Sequence, residues 1–185
     1  PVRRLFRWIR ACIYYLVIWP ASALLAKPRV IGRERLRGAK GPVLFISNHV
    51  TAIDIGFLMF ALPAHYRSRL AVAMSGELLR AMRHPPPSMN PLKRWLEQLK
   101  YLLVVALFNV QPLPQESNFR ESFDHLGVAA DRGYSIVIFP EGERTATGAM
   151  NPFRSGIGLL AQRLQLPVVP MRIDGLFPLK QARQR

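Results

Sequence analysis

Short apolar runs recur along the chain, each closed by glycine, proline or a polar cluster, and most are followed by apolar residues spaced every three or four positions. "PVLFIS" (42–47) reads as a buried strand, and "DIGFLMFALP" (54–63) as a short apolar helix beyond it. "RLAVAM" (69–74) predicts a second strand and "SGELLRAMR" (75–83) a helix. The pattern then breaks in "HPPPSMNP" (84–91). "LKRWLEQLK" (92–100) has helical spacing, and "YLLVVALFNV" (101–110) predicts another strand. "SNFRESFDHLGVAADRG" (117–133) reads as a capped amphipathic helix closed by Gly133, and "SIVIFP" (135–140) as a further strand. A helix over "NPFRSGIGLLAQRLQ" (151–165) and a closing strand in "LPVVPMRIDG" (166–175) complete the series. Strands that alternate with helices predict an α/β domain with a mainly parallel sheet, covered by helices on both faces.

The amino-terminal segment has a different pattern. "ACIYYLVIWPASALLA", Ala11 to Ala26, carries no charge and follows the basic run "VRRLFRWIR". As a helix its 16 positions reach about 24 Å at ~1.5 Å per residue, short of the roughly 20 residues of a membrane span. Pro20 is expected to kink it. Arg3, Arg4, Arg7 and Arg10 suit phospholipid headgroups, and Trp8, Tyr14, Tyr15 and Trp19 supply interfacial aromatics. Residues 1–29 are therefore expected to form an amphipathic, membrane-docking helical segment, and 30–185 the domain proper. Packing on the core, or a signal sequence cleaved near "ASA" (21–23), fits the same residues.

Composition narrows the partners. The chain has 185 residues, enough for one domain with a layered core. Lysine and arginine outnumber aspartate and glutamate 26 to 11, a net charge of +15 that favours an anionic partner: nucleic acid, a phospholipid surface or a phosphorylated metabolite. Cys12 is the only cysteine, which excludes an internal disulfide and fits a reducing compartment. The four histidines are scattered, with no metal-ligand spacing, so no metal is expected. Pro1 in place of a methionine and the ending "QARQR" lead us to expect that both ends are cut.

Two polar motifs follow predicted strands, where ligands of parallel α/β sheets collect. In "SNHVTAID" (47–54) a strand-to-helix turn allows Asp54 to fold back onto His49, although the pair would not share a face of one helix. Such a contact would fix the imidazole tautomer and leave the other nitrogen as a base toward a hydroxyl. The same octapeptide also reads as a polar turn in which Asp54 caps a helix. No serine or cysteine in a nucleophile-elbow pattern accompanies it, which argues for direct transfer over a covalent acyl-enzyme. In "IFPEGERTATGAMNPFRSG" (138–156), Gly142 permits close backbone approach, Arg144 can fork two bonds to a phosphate, and Thr145 and Thr147 offer hydroxyls. Arg154 reads as a surface or helix-start residue.

Together "NHVTAID", "FPEGERTATGAMNPFRSG" and "LPVVP" resemble the glycerolipid acyltransferase family, over about Val30 to Gly175. That family includes glycerol-3-phosphate and 1-acylglycerol-3-phosphate acyltransferases. The resemblance implies a membrane-bound α/β enzyme of phospholipid biosynthesis, on the cytoplasmic face. It would move a fatty acyl chain from acyl-CoA or acyl-carrier protein, used as co-substrate without a further cofactor, to the hydroxyl of a lysophospholipid. By motif, His49 is implied as general base and Asp54 as its partner. Glu141, Gly142, Arg144 and Thr145 are implied as acceptor-binding residues, and "LPVVP" as packing or acyl-chain contact. Glu143 stands where the family commonly has threonine or serine, and "LFNVQPLPQ" (107–115) lacks the arginine that usually ends the middle motif, for which Arg120 is a candidate substitute. The departures leave open another lysolipid or an amine as acceptor. A thioester hydrolase and a non-catalytic module for anionic lipid or nucleic acid compete with acyl transfer; under the leading reading no nucleic acid is expected.

Overall fold

Successive side chains of strand β1 (Leu44–Ser47) enter two different cores, because neighbouring residues of a strand point to opposite faces. The computed structural model describes the backbone of residues 2–36, 38, 41–113 and 119–182, and side chains from residue 8 onward except 119–123. Phe45 packs with Leu58 and Tyr66 on one face, its ring meeting that of Tyr66 edge-on at 5.3 Å. Leu44 packs with Leu126 and Leu160 on the other. In β4 (Ser135–Ile138), Val137 joins the first core while Ile136 and Ile138 join the second. Such continuous apolar strands need cover on both faces.

The cover comes from helices between the strands. α3 (Asp54–Ala61) and α4 (Ala64–Arg67) lie on the first face, and α7 (Phe119–Asp131) and α8 (Gly156–Leu164) on the second. With β2 (Leu70–Ser75), β3 (Val110–Leu113) and β5 (Val168–Met171), the strands form one sheet in the order β3-β2-β4-β1-β5. Every pairing is parallel, as the alternating pattern predicts. β1 and β4 are neighbours in the middle of the sheet although far apart in sequence. α5 (Gly76–Arg83) follows β2, and α9 (Phe177–Ala182) follows β5.

The predicted strand over 101–110 is instead the second half of α6 (Pro91–Phe108), and β3 begins only at Val110. An unbroken apolar run cannot choose between strand and helix by periodicity alone. Here no breaker separates 101–108 from the helical stretch before it. Asn90 accepts the Leu92 N–H at 2.9 Å, Pro91 opens the first turn, and Asn109 ends the helix at φ 48°. The cap expected at Ser117 lies outside the described residues.

Pro20 does not interrupt the amino-terminal helix. α1 (Val2–Ile13) runs through a π-helical turn (Tyr14–Ile18) into α2 (Trp19–Ala26). The widened turn just before Pro20 accommodates a residue that has no N–H to donate. The helix ends at Lys27, whose φ is 43°, next to Pro28. Its stretch Trp8–Ala26, 19 residues, is long and apolar enough by length and composition to cross a membrane, which corrects the shorter estimate from Ala11. One face nevertheless packs on the domain. Tyr14, expected at the interface, is buried in the first core beneath the Arg67 guanidinium, 4.2 Å from its ring centre. Arg10, expected among headgroups, donates to the Ala106 carbonyl of α6 at 2.8 Å. Trp8, Tyr15, Trp19 and Leu24 stay exposed.

Candidate active site

Parallel register brings the two polar motifs together. Ile46 of β1 pairs with Ile138 of β4, so His49 and Glu141, each three residues further on, leave the sheet side by side. The His49 N–H donates to Glu141 Oε1 at 2.8 Å, and the His49 carbonyl accepts the Thr145 N–H at 2.9 Å. Glu141 Oε2 accepts the Asn151 N–H at 2.7 Å. The buried Glu141 carboxylate thus ties the histidine turn to both arms of the loop that follows β4.

Asp54 opens α3 and folds back over the turn before it. Its carboxylate is fully buried and meets His49 Nδ1 at 2.9 Å. It also accepts the Val50 N–H at 2.6 Å, the Thr51 N–H at 2.9 Å and the Thr51 hydroxyl at 2.6 Å. The polar turn and the paired imidazole are therefore one structure: the bonds that shape the loop also aim the carboxylate. With Nδ1 donating to a carboxylate, Nε2 is the nitrogen left to accept a proton. The His49 ring stacks on Phe139 with centres 4.1 Å apart and is 23% exposed, so it is held on one face and open at the edge.

That edge borders a cleft of about 920 Å³. Its lining is largely apolar, with Leu78 and Met82 of α5, Val104 and Phe108 of α6, Leu113 and Leu160. It also includes the charged groups Lys100, Glu143, Arg144 and Arg154. A cleft with an apolar interior and a few polar groups is the usual form of a small-molecule site. It suits a molecule that carries both hydrocarbon and an anionic group.

The predicted site residues divide between two positions. His49, Gly142 and Arg144 line the cleft. Asp54, Glu141 and Thr145 stand behind it, buried. Thr145 Oγ1 accepts the Gly148 N–H at 2.9 Å and its carbonyl accepts a bond from Lys180, so it shapes the loop. Arg154, read from sequence as a surface or helix-start residue, is exposed and stands two residues before α8, and it also lines the cleft because the loop doubles back: its N–H donates to the Pro140 carbonyl at 2.9 Å. Its side chain lies over Gly142, where a Cβ would stand 2.2 Å from Nε. Gly142 has φ 74°, so the turn needs glycine for conformation and for space. The side chain of Arg120 lies outside the described residues. Among the described residues no group of three or more His, Cys, Asp or Glu is placed to hold a metal.

Comparison with known proteins gives this geometry a context. Residues 27–174 match the protein family described as Acyltransferase. The chain is similar to the 1-acyl-sn-glycerol-3-phosphate acyltransferase of Limnanthes douglasii, 28% identical over 160 residues, 86% of this chain and 48% of that protein. It is likewise similar to the 1-acyl-sn-glycerol-3-phosphate acyltransferase of Saccharomyces cerevisiae, 27% identical over 178 residues, 93% of this chain and 50% of that protein. The chain spans half or less of the length of these relatives. Among solved structures it is similar to the 1-acyl-sn-glycerophosphate acyltransferase PlsC of Thermotoga maritima. The TM-score is 0.49 and the identity 18%, covering 95% of this chain and 75% of that one.

Proposed function

Since this chain belongs to the acyltransferase family, we propose that it transfers a fatty acyl chain from an acyl thioester to the free hydroxyl of 1-acylglycerol-3-phosphate, working at the cytoplasmic face of a membrane. The observation that carries this reading is the His49–Asp54 pair on a cleft lined by apolar side chains and by the cationic Arg144, Arg154 and Lys100. In the proposed reaction the acceptor hydroxyl gives its proton to His49 Nε2 as its oxygen attacks the thioester carbonyl. The tetrahedral intermediate collapses by breaking the C–S bond. The thiolate leaves and takes up the proton that His49 held, so the base is restored and no acyl-enzyme forms.

Each part of the cleft has a task in this scheme. Asp54 keeps Nδ1 protonated and Nε2 turned outward, and it stabilises the imidazolium while the proton is in transit. Arg144 and Arg154 supply guanidinium forks for the acceptor phosphate, in place of the arginine that the middle motif lacks. The pocket between α5 and α6 takes a hydrocarbon chain. The donor is acyl-CoA or acyl-carrier protein, and no metal takes part in the scheme.

The test is incubation with radiolabelled acyl-CoA or acyl-carrier protein and a panel of lysolipids with and without phosphomonoester headgroups, followed by identification of the lipid product. Labelled phosphatidate from 1-acylglycerol-3-phosphate is expected. Thiol release that does not depend on acceptor would instead make the chain a hydrolase, and product only from phosphate-free acceptors would remove the role given to the arginines.

A further inference from the structure

α6 is an 18-residue helix without a single buried residue among those described, although it packs against α5 and touches the amino-terminal helix, β2 and β3. At 100° per residue Leu92, Trp95, Leu96, Leu99, Leu102 and Leu103 fall within an arc of about 120°. This stripe faces outward: Leu92 is 65% exposed, Trp95 57% and Leu102 61%. Val104 and Phe108, which wall the cleft, lie on another side of the helix. Lys93 and Lys100 are exposed and fall between the two, along the border of stripe and cleft. The nearest partner of Lys100 is Glu97, at 3.4 Å and itself partly exposed.

We infer that the outer face of α6 is a second membrane-contact element, seated on an anionic phospholipid bilayer beside the amino-terminal helix. An apolar stripe with an aromatic residue, bordered by lysines, is the form of a helix lying in the interface plane. The stripe sinks among acyl chains and the lysines meet lipid phosphates, which sets the cleft border at headgroup level. Continuity supports the same occupant. Arg10 of the amino-terminal helix bonds the carbonyl of Ala106, at the carboxyl end of α6, so the two helices adjoin there, and Trp8, two residues before Arg10, is exposed. A second copy of the chain is disfavoured as the cover, because it would bring like lysines and a net charge of +15 against themselves.

This inference adds to the membrane location proposed above and does not depend on acyl transfer, since its test uses no donor. The full chain and its Trp95→Glu/Leu102→Glu variant are sedimented with vesicles of phosphatidylglycerol and, separately, of phosphatidylcholine. The parent is expected to prefer phosphatidylglycerol, and the variant to bind it at least about tenfold more weakly, with the same thermal midpoint. As a check that does not rely on that variant, a Trp8→Phe/Trp19→Phe chain carries Trp95 as its one remaining bright reporter besides the tyrosines. Brominated phosphatidylglycerol is expected to quench it. Equal binding by parent and variant, or an unquenched Trp95, would overturn the inference. So would a parent that is dimeric without vesicles and a variant that is monomeric. A parent that binds neither vesicle would remove the amino-terminal contact as well.

Discussion

The histidine turn and the arginine rim border the same cleft and are built in opposite ways. Asp54 is fully buried, and four donor groups of His49, Val50 and Thr51 converge on it. Arg144 and Arg154 are exposed, and their guanidinium groups have no ion pair among the described residues. Proton transfer depends on orientation within tenths of an ångström, so a locked turn is what the role proposed for His49 requires. A charged headgroup arriving from a membrane is better met by long side chains with free donors. On the proposed function, variants of the first region are expected to lose both fold stability and rate, and variants of the second to lose acceptor affinity alone.

The largest effect is expected where both losses coincide. Asp54→Ala strands the buried Val50 and Thr51 amides and frees the imidazole. It should cost about 3 kcal/mol of stability, read by urea denaturation, and lower kcat by roughly a thousandfold at a temperature where the variant is folded. Glu141→Gln probes the strut between the two motifs. One of its oxygens becomes a donor facing a backbone N–H, at a cost of about 2 kcal/mol, and kcat should fall about tenfold as the His49 backbone shifts. Both losses without a rise in acceptor KM would sharpen the comparison. Arg144→Ala and Arg154→Ala belong to the other side: each should raise acceptor KM by about tenfold and leave the melting temperature in place. A fall in melting temperature with unchanged KM would make the rim a structural element with no part in acceptor binding.

What the sequence reveals follows the range of the interactions involved. His49 and Asp54 are five residues apart, so local chain geometry can bring them within reach, and the eight letters offer the pairing as one of two readings. The parallel sheet is legible because apolar runs closed by turns recur between helical stretches. Arg154 is not, since its place in the cleft depends on the bond from its N–H to Pro140 across a doubled-back loop. Glu141 is legible as a member of a motif but not as a brace, because its partners are His49 in the turn after β1 and Asn151 on the far arm of its own loop. The apolar run 101–108 misleads for the complementary reason. Its solvent-facing side is as apolar as its cleft-facing side, so no polar face marks it as a helix. Tyr14 misleads in the same way: an aromatic in a membrane-like segment carries no mark of the core that covers it.

The central claim is that the free edge of one imidazole removes the acceptor proton. The most direct measurement is the initial rate of phosphatidate formation by His49→Ala beside the parent chain, at saturating donor and acceptor, with vesicle binding and circular dichroism recorded on the same samples. The account predicts a rate lower by about a thousandfold with binding and spectrum unchanged. A rate close to that of the parent would contradict it.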